Sequence, residues 1–300
     1  MGARFPAAPA ATTADARLGG PNEKNKTVGG GSVNQSNTPT SGVSVDSERR
    51  PRVALFVTCL VDLFRPSVGF AAVKLIEDAG CEVHVPAAQT CCGQPAYNSG
   101  DKADTREIAE QVIEAFEGFD FIVAPSGSCG AMLKKHYPEL FAGDPAWEGR
   151  ANAFSEKCHE LVSFLTDVMM VRDTGAALSA EVTYHDSCSG LRELGIKEQP
   201  RKLLGAVDGL TLREMKDPDV CCGFGGTFCV KYPDISNSIV TKKTGNIDAS
   251  KADMLLAGDL GCLMNMAGKL KRAGSSVEFR RVAEVLAGMT DTPPIAGSGK

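Results

Sequence analysis

Two consecutive α/β halves, each built on a parallel sheet, are what this 300-residue chain predicts. Three observations carry the prediction. A pattern of single cysteine, adjacent pair and single cysteine occurs twice; most of these cysteines follow short apolar runs; and the runs alternate with segments of helical spacing. The pattern is Cys59, Cys91-Cys92 and Cys129, then Cys188, Cys221-Cys222 and Cys262. The intervals match closely, 32 and 33 residues from the first single to the pair and 37 and 40 from the pair to the last. Both pairs precede a glycine, Gly93 or Gly223, whose missing Cβ lets the backbone turn closely around a bound ion or cluster.

The elements follow in order. Val53-Ala-Leu-Phe-Val57 is an apolar run suited to a buried parallel strand, with Cys59 just beyond it. Val68, Ala72, Leu75, Ile76 and Ala79 share one helical face, and Gly80 stops that helix. Cys81 to Val85 reads as the next strand and leads to the first pair. Ile108, Val112, Ala115, Phe116 and Phe119 repeat the helical spacing, and Phe121 to Ala124 is a third strand that delivers Cys129. Cys158 to Met170 reads as one amphipathic helix with Leu161, Phe164, Leu165, Val168 and Met169 inward. The second half repeats the plan. Glu181 to Tyr184 leads to Cys188, Pro200 opens a helix, Leu210 to Met215 leads to the second pair, and Ala252 to Ala257 delivers Cys262 ahead of a helix through Leu270. Strands alternating with helices imply right-handed crossovers and Rossmann-like parallel sheets. All three cysteine sites of each half are therefore expected at the carboxyl ends of its strands. The predicted organisation is a disordered extension over 1–50, a first domain over 51–175 and a second over 176–300 with a short disordered tail.

A disulfide framework is the competing use of so many cysteines. It suits short secreted chains, whereas here the cysteine count is 11 and no secretory signal is visible, so a cytoplasmic protein is expected. In a reducing compartment adjacent thiolates are soft ligands for iron-sulfur clusters or zinc, and vicinal pairs suit multi-iron ligation better than the spaced pairs of zinc knuckles. All eight residues, Cys59, Cys91, Cys92, Cys129, Cys188, Cys221, Cys222 and Cys262, are read as cofactor and metal ligands. A net charge of −5 gives no electrostatic footprint for nucleic acid, and no run is long enough to span a membrane. The Ser/Thr/Asn-rich start, with Gly29-Gly30-Gly31, offers little apolar surface to bury.

The stretches Phe56-Val-Thr-Cys59, Cys91-Cys-Gly-Gln-Pro-Ala-Tyr-Asn-Ser-Gly100, Pro125-Ser-Gly-Ser-Cys129 and Cys221-Cys-Gly-Phe-Gly-Gly-Thr-Phe228 carry a resemblance over roughly residues 52–288. They resemble the cysteine-rich CCG-domain family, which includes heterodisulfide reductase B subunits, glycolate oxidase iron-sulfur subunits and, closest in motif, the lactate utilization protein A group. The resemblance implies an iron-sulfur oxidoreductase subunit of a multi-protein L-lactate oxidising system. It further implies a ferredoxin-like iron-sulfur subunit and a third lactate utilization protein as partners, and a small 2-hydroxy acid as substrate. The wider family often has a fifth cysteine three residues before the last, where this chain has Ser126 and Asp259. A 4Fe-4S cluster on four thiolates, a cluster with one oxygen ligand, and zinc in one half all remain admissible.

Other residues invite weaker readings. Cys81 and Cys158 read as core or filler, and Cys229 as a spare thiol near the second pair. His185, three residues before Cys188, could donate a hydrogen bond to a cluster sulfur, shuttle a proton or pack. Gln94, Asn98 and Arg192 could recognise a carboxylate. Gly223-Phe-Gly-Gly226 lacks the spacing of a phosphate-cradling loop, and no flavin or nicotinamide fingerprint is present, so any lactate oxidation falls to a cluster or to another subunit. Catalytic residues stay unassigned. Two other functions use the same ligands: a zinc-stabilised scaffold without redox cycling, and a thiol/disulfide enzyme of heterodisulfide reductase type.

Overall fold

The computed structural model describes residues 49–297. The reading of residues 1–48 as an unstructured extension, and of the last three residues as part of a disordered tail, lies outside the described residues. Eight strands form two four-stranded sheets whose every pairing is parallel. The first contains β1 (Arg52–Leu55), β2 (Glu82–His84), β3 (Phe121–Ala124) and β4 (Cys158–Glu160) in the order β2-β1-β3-β4. The second contains β5 (Ala177–His185), β6 (Asp208–Leu212), β7 (Met254–Ala257) and β8 (Glu278–Arg281) in the matching order β6-β5-β7-β8. The α/β repeat predicted from the cysteine spacing is therefore the observed architecture.

The central strands β1 and β7 are buried on both faces. Val53, Ala54, Leu55, Leu255, Leu256 and Ala257 are inaccessible to solvent, as parallel strands covered by helices must be. Helix Pro66–Asp78 buries Val68, Ala72, Leu75 and Ile76 of its predicted face, whereas helix Lys102–Phe116 buries Val112 and Phe116 of the predicted face together with Ala109 and Ile113, leaving Ile108 and Ala115 half-buried. One apolar core spans both halves, placing Val53 and Leu75 of the first in the same cluster as Val182, Leu204 and Val285 of the second. Polar groups reinforce that junction. Glu284, fully buried, accepts hydrogen bonds from Arg65 Nε at 2.9 Å and Ser67 Oγ at 2.6 Å.

One expected element differs and two further elements are present. Cys158 to Met170 is not one helix: Cys158–Glu160 pair with β3 as an edge strand, and only then does the chain wind through Leu161–Ser163 into a π-helical turn, Phe164–Val168. The helical spacing was real, but the sheet takes its first three residues because Ile122, Val123 and Ala124 offer an unfilled edge. β8 and the helix Pro233–Ser250 were not anticipated. Among the described residues no helix is long and apolar enough to cross a membrane.

Candidate metal centre

Each cysteine set is assembled from the carboxyl ends of three adjacent strands. Cys59 opens the helix Cys59–Phe64 after β1, the first pair lies in the loop after β2, and Cys129 sits in the helix Gly127–Ala131 after β3. Cys188, the second pair and Cys262 occupy the corresponding places after β5, β6 and β7. The turns after both pairs demand glycine, since Gly93 and Gly223 each have φ +81°.

The two sets face each other. All eight cysteines line one cavity of about 430 Å³. The halves approach there through glycines: a Cβ on Gly127 would lie 2.8 Å from the Gly190 Cα, so the short helices bearing Cys129 and Cys188 touch backbone to backbone. Asp259 ties the halves together at the same place. Its Oδ1 accepts from Ser126 Oγ at 2.6 Å, Ser128 Oγ at 2.8 Å and the Ser128 backbone N–H at 3.1 Å. Burial would raise this carboxyl, but the Arg281 guanidinium and these donors outweigh it and hold Asp259 below its ordinary value. Arg281, 1 % exposed, also donates to the Pro125 carbonyl, so the loop before Cys129 is gripped twice from the other half. Ser126 and Asp259, the two positions where cysteine is missing, thus bond to each other.

Within each set the thiols form a chain of neighbours. Cys59 lies against Cys91, Cys91 against Cys92, and Cys92 against Cys129. Cys188, Cys221, Cys222 and Cys262 repeat the order. Crowding splits their acidities. Cys91, accepting from Cys59 and Cys92, is pulled down to about 2, whereas Cys59 is pushed far up, first by Cys91 and then by burial. Cys188 is pushed up in the same way, first by Cys221 and then by burial. Four adjacent thiolates repel one another, and a soft cation supplies the charge that lets them ionise together.

His185, at the tip of β5, is 1 % exposed. Its Nδ1 donates to the Pro218 carbonyl at 3.2 Å, while Nε2 has no hydrogen-bond partner. One of its ring nitrogens and the sulfurs of Cys222 and Cys262 lie within 4.8 Å of one another. Burial, then the neighbouring Lys243, lowers the imidazole to about 3. Lys243 is itself buried and donates to the Asp217 and Pro218 carbonyls at 2.9 and 2.8 Å, which fixes the loop carrying the second pair. The donor set of soft thiols and a neutral, unsatisfied imidazole nitrogen fits a bound metal or cluster.

The remaining candidates separate. Gln94 and Asn98 line the cavity, and Gln94 Nε2 lies 3.4 Å from the Ser128 carbonyl that accepts its proton. Arg192 is exposed and stays off the cavity wall, so it does not serve as a carboxylate clamp there. Cys81 packs with its sulfur 3.8 Å from Met169 Sδ, and Cys158 is buried and donates to the Phe154 carbonyl at 3.3 Å. Cys229 is half-buried, donates to the Gly226 carbonyl at 3.2 Å, and does not line the cavity. Two residues that no sequence motif flagged, His136 and Glu193, line the site together with Phe224 of the second-pair motif. His136 lines the cavity and pairs with Glu193 of the other half at 2.7 Å, and Phe224 packs so closely on Gly261 that a Cβ there would lie 2.3 Å from its ring.

Comparison with known proteins agrees with this architecture. The profile of the cysteine-rich CCG domain matches residues 53–134 and 182–267, one copy per half. "Lactate utilization protein A" of Geobacillus kaustophilus is 49% identical over 235 residues, 78% of this chain and 98% of that protein. The protein of the same name from an Exiguobacterium species is 51% identical over 238 residues, 79% of this chain and 97% of that protein. Among solved structures, a hypothetical protein from Helicobacter pylori superposes with a TM-score of 0.56 at 11% identity, covering 81% of this chain. The chain spans about half of that protein, 49% of its length, and the likeness concerns the fold alone. With a profile match in each half and relatives near 50% identity along almost their whole length, the chain belongs to the CCG cysteine-rich domain family, in the lactate utilization protein A group.

Proposed function

We propose that this protein is an iron-sulfur redox subunit of a lactate utilization system, holding Cys-ligated centres at Cys59, Cys91, Cys92 and Cys129 and at Cys188, Cys221, Cys222 and Cys262. The observation that carries the reading is the convergence of both cysteine sets on one cavity. Names of relatives near 50% identity supply the pathway. When bound, such centres supply one-electron chemistry that side chains lack. The chain's own residues do the rest. The Gly93 and Gly223 turns aim each pair inward, Asp259 and Arg281 lock the two halves in register, and Phe224 lines the cavity packed against Gly261. Among the described residues the cavity wall contains neither lysine nor arginine, and its histidine, His136, is held by Glu139 and Glu193. A 2-hydroxy acid carboxylate therefore finds no lysine or arginine and no unpaired histidine there, which favours electron transfer in this subunit with substrate bound elsewhere in the assembly. The partners proposed are a ferredoxin-like iron-sulfur subunit and a third lactate utilization protein, and the compartment proposed is the cytoplasm. A specific observation, the imidazole beside Cys222 and Cys262, favours zinc as the second reading for the second half.

The test is iron, acid-labile sulfide and zinc per chain on anaerobically purified protein, with visible spectra before and after dithionite. Iron with matching sulfide and a bleachable brown colour is the expected result, and stoichiometric zinc without iron after cluster reconstitution would sink the redox reading. Oxidation of the reduced protein by disulfides, but not by its partner proteins, would point to a thiol/disulfide enzyme instead.

A further inference from the structure

We propose that His185 is itself a metal ligand, through Nε2, so that the two halves hold chemically unequal centres: sulfur alone in the first, sulfur and nitrogen in the second. The inference rests on the reading that the second set binds metal, and it goes beyond the eight cysteines. Nδ1 fixes the tautomer of the ring. Its partner is a backbone carbonyl, which can only accept, so Nδ1 carries the ring proton and Nε2 carries the lone pair. That lone pair is buried and makes no hydrogen bond. A buried acceptor left unpaired calls for a partner.

Geometry supplies one. A ring nitrogen of His185 and the sulfurs of the buried Cys222 and Cys262 lie within 4.8 Å of one another, compact enough for one ion or one face of a cluster. Metal-bound histidines commonly donate their other ring N–H to a carbonyl, as His185 does. The surrounding bonds hold the ring in place. Pro218 also accepts from Lys243 Nζ and from the Asp186 backbone, and Asp186 is gripped bidentately by Arg201 at 2.9 and 3.0 Å. The alternative that His185 donates a hydrogen bond to a bound sulfide requires a proton on Nε2 as well. Because Nδ1 already donates to Pro218, that would put a second cation on the carbonyl that Lys243 already holds, in a buried pocket.

The first half lacks the device. Phe56 stands three residues before Cys59 as His185 stands before Cys188, and Phe56 is fully buried with nothing to offer a metal. Divergence at this one position makes the halves different chemically while leaving the sheets alike.

The experiment uses the full chain labelled with 15N-histidine and purified without oxygen. Pulsed EPR on the reduced centre, or on the cobalt(II)-substituted protein where zinc fills the site, reads the nitrogen coupling. The expected result is the strong coupling of a directly bonded nitrogen, lost in His185→Phe. In that variant, which copies the first half's own residue, metal per chain falls by about half as the second set empties, and His185→Cys restores it. A wild-type spectrum without strong nitrogen coupling overturns the proposal with no variant needed, as does full metal retention with unchanged spectra in His185→Phe. Wild-type protein that holds no metal after reconstitution overturns both this inference and the proposed function. Metal-replete wild type that is indifferent to His185→Phe overturns this one alone.

Discussion

At each cysteine pair the glycine that follows holds φ +81°, yet the two positions differ in what surrounds them. A Cβ on Gly93 would meet Ile108 Cγ2 at 3.4 Å, an ordinary contact, whereas one on Gly223 would lie 2.7 Å from the Ser236 carbonyl oxygen. Gly93→Ala should therefore cost only the left-handed penalty of about 1 kcal/mol, and Gly223→Ala about 3 kcal/mol as Ser236 and its helix are pushed away. Urea midpoints of the two variants check the ranking, and equal losses would refute it. The need for glycine was legible in the repeat, because residue type and spacing state it. The contact with Ser236 was not, since 13 residues of chain separate the partners and no local pattern records their approach.

Helices and strands tell a similar story about range. The face of Pro66–Asp78 read directly from its spacing, though Lys102–Phe116 buries Ala109 and Ile113 where Ile108 and Ala115 were expected, and the buried strands β1, β3 and β7 announced themselves as apolar runs. β4 and β8 did not. Cys158-His-Glu160 is three residues long and continues into helical spacing, and Glu278-Phe-Arg-Arg281 is charged because Arg281 crosses to Pro125 and Arg280 donates to the Thr292 carbonyl. Their polarity is satisfied by tertiary partners that sequence periodicity cannot show. The helix Val282–Leu286 that follows β8 makes the clearest prediction at this scale. Its Glu284 pairs with Arg65, whose side chain is 12% exposed, so Glu284→Ala strands a mostly buried guanidinium and should destabilise the protein by about 3 kcal/mol. Chemical denaturation measures this, and Arg65→Ala in the Glu284→Ala background should add little further loss.

Across the whole molecule, the buried carboxyl of Glu160 links stability to pH. Burial raises it to about 7 from an ordinary 4.5, against the pull of Ser163 and Val162 backbone N–H groups and of Arg281. Between those values the folded chain keeps a proton that the unfolded chain has lost, so folding is favoured at the acidic end and the advantage fades as pH rises to about 7. Wild type should lose up to about 3 kcal/mol relative to Glu160→Gln across that window. Parallel denaturation curves for the two proteins at several pH values test it, and a pH-independent difference would contradict it.

The eight cysteines were legible from spacing alone, but their convergence on one cavity was not. It depends on Gly127 meeting Gly190 and on Asp259 reaching Ser126 and Ser128, contacts between residues more than 60 positions apart. That glycine contact has a consequence for how the protein fills. With no side chain interposed, charge placed in one set is felt in the other through a shared, poorly screened space. The two sets should then titrate as a single binding polynomial, the occupancy of one altering the affinity of its neighbour, rather than as independent reservoirs.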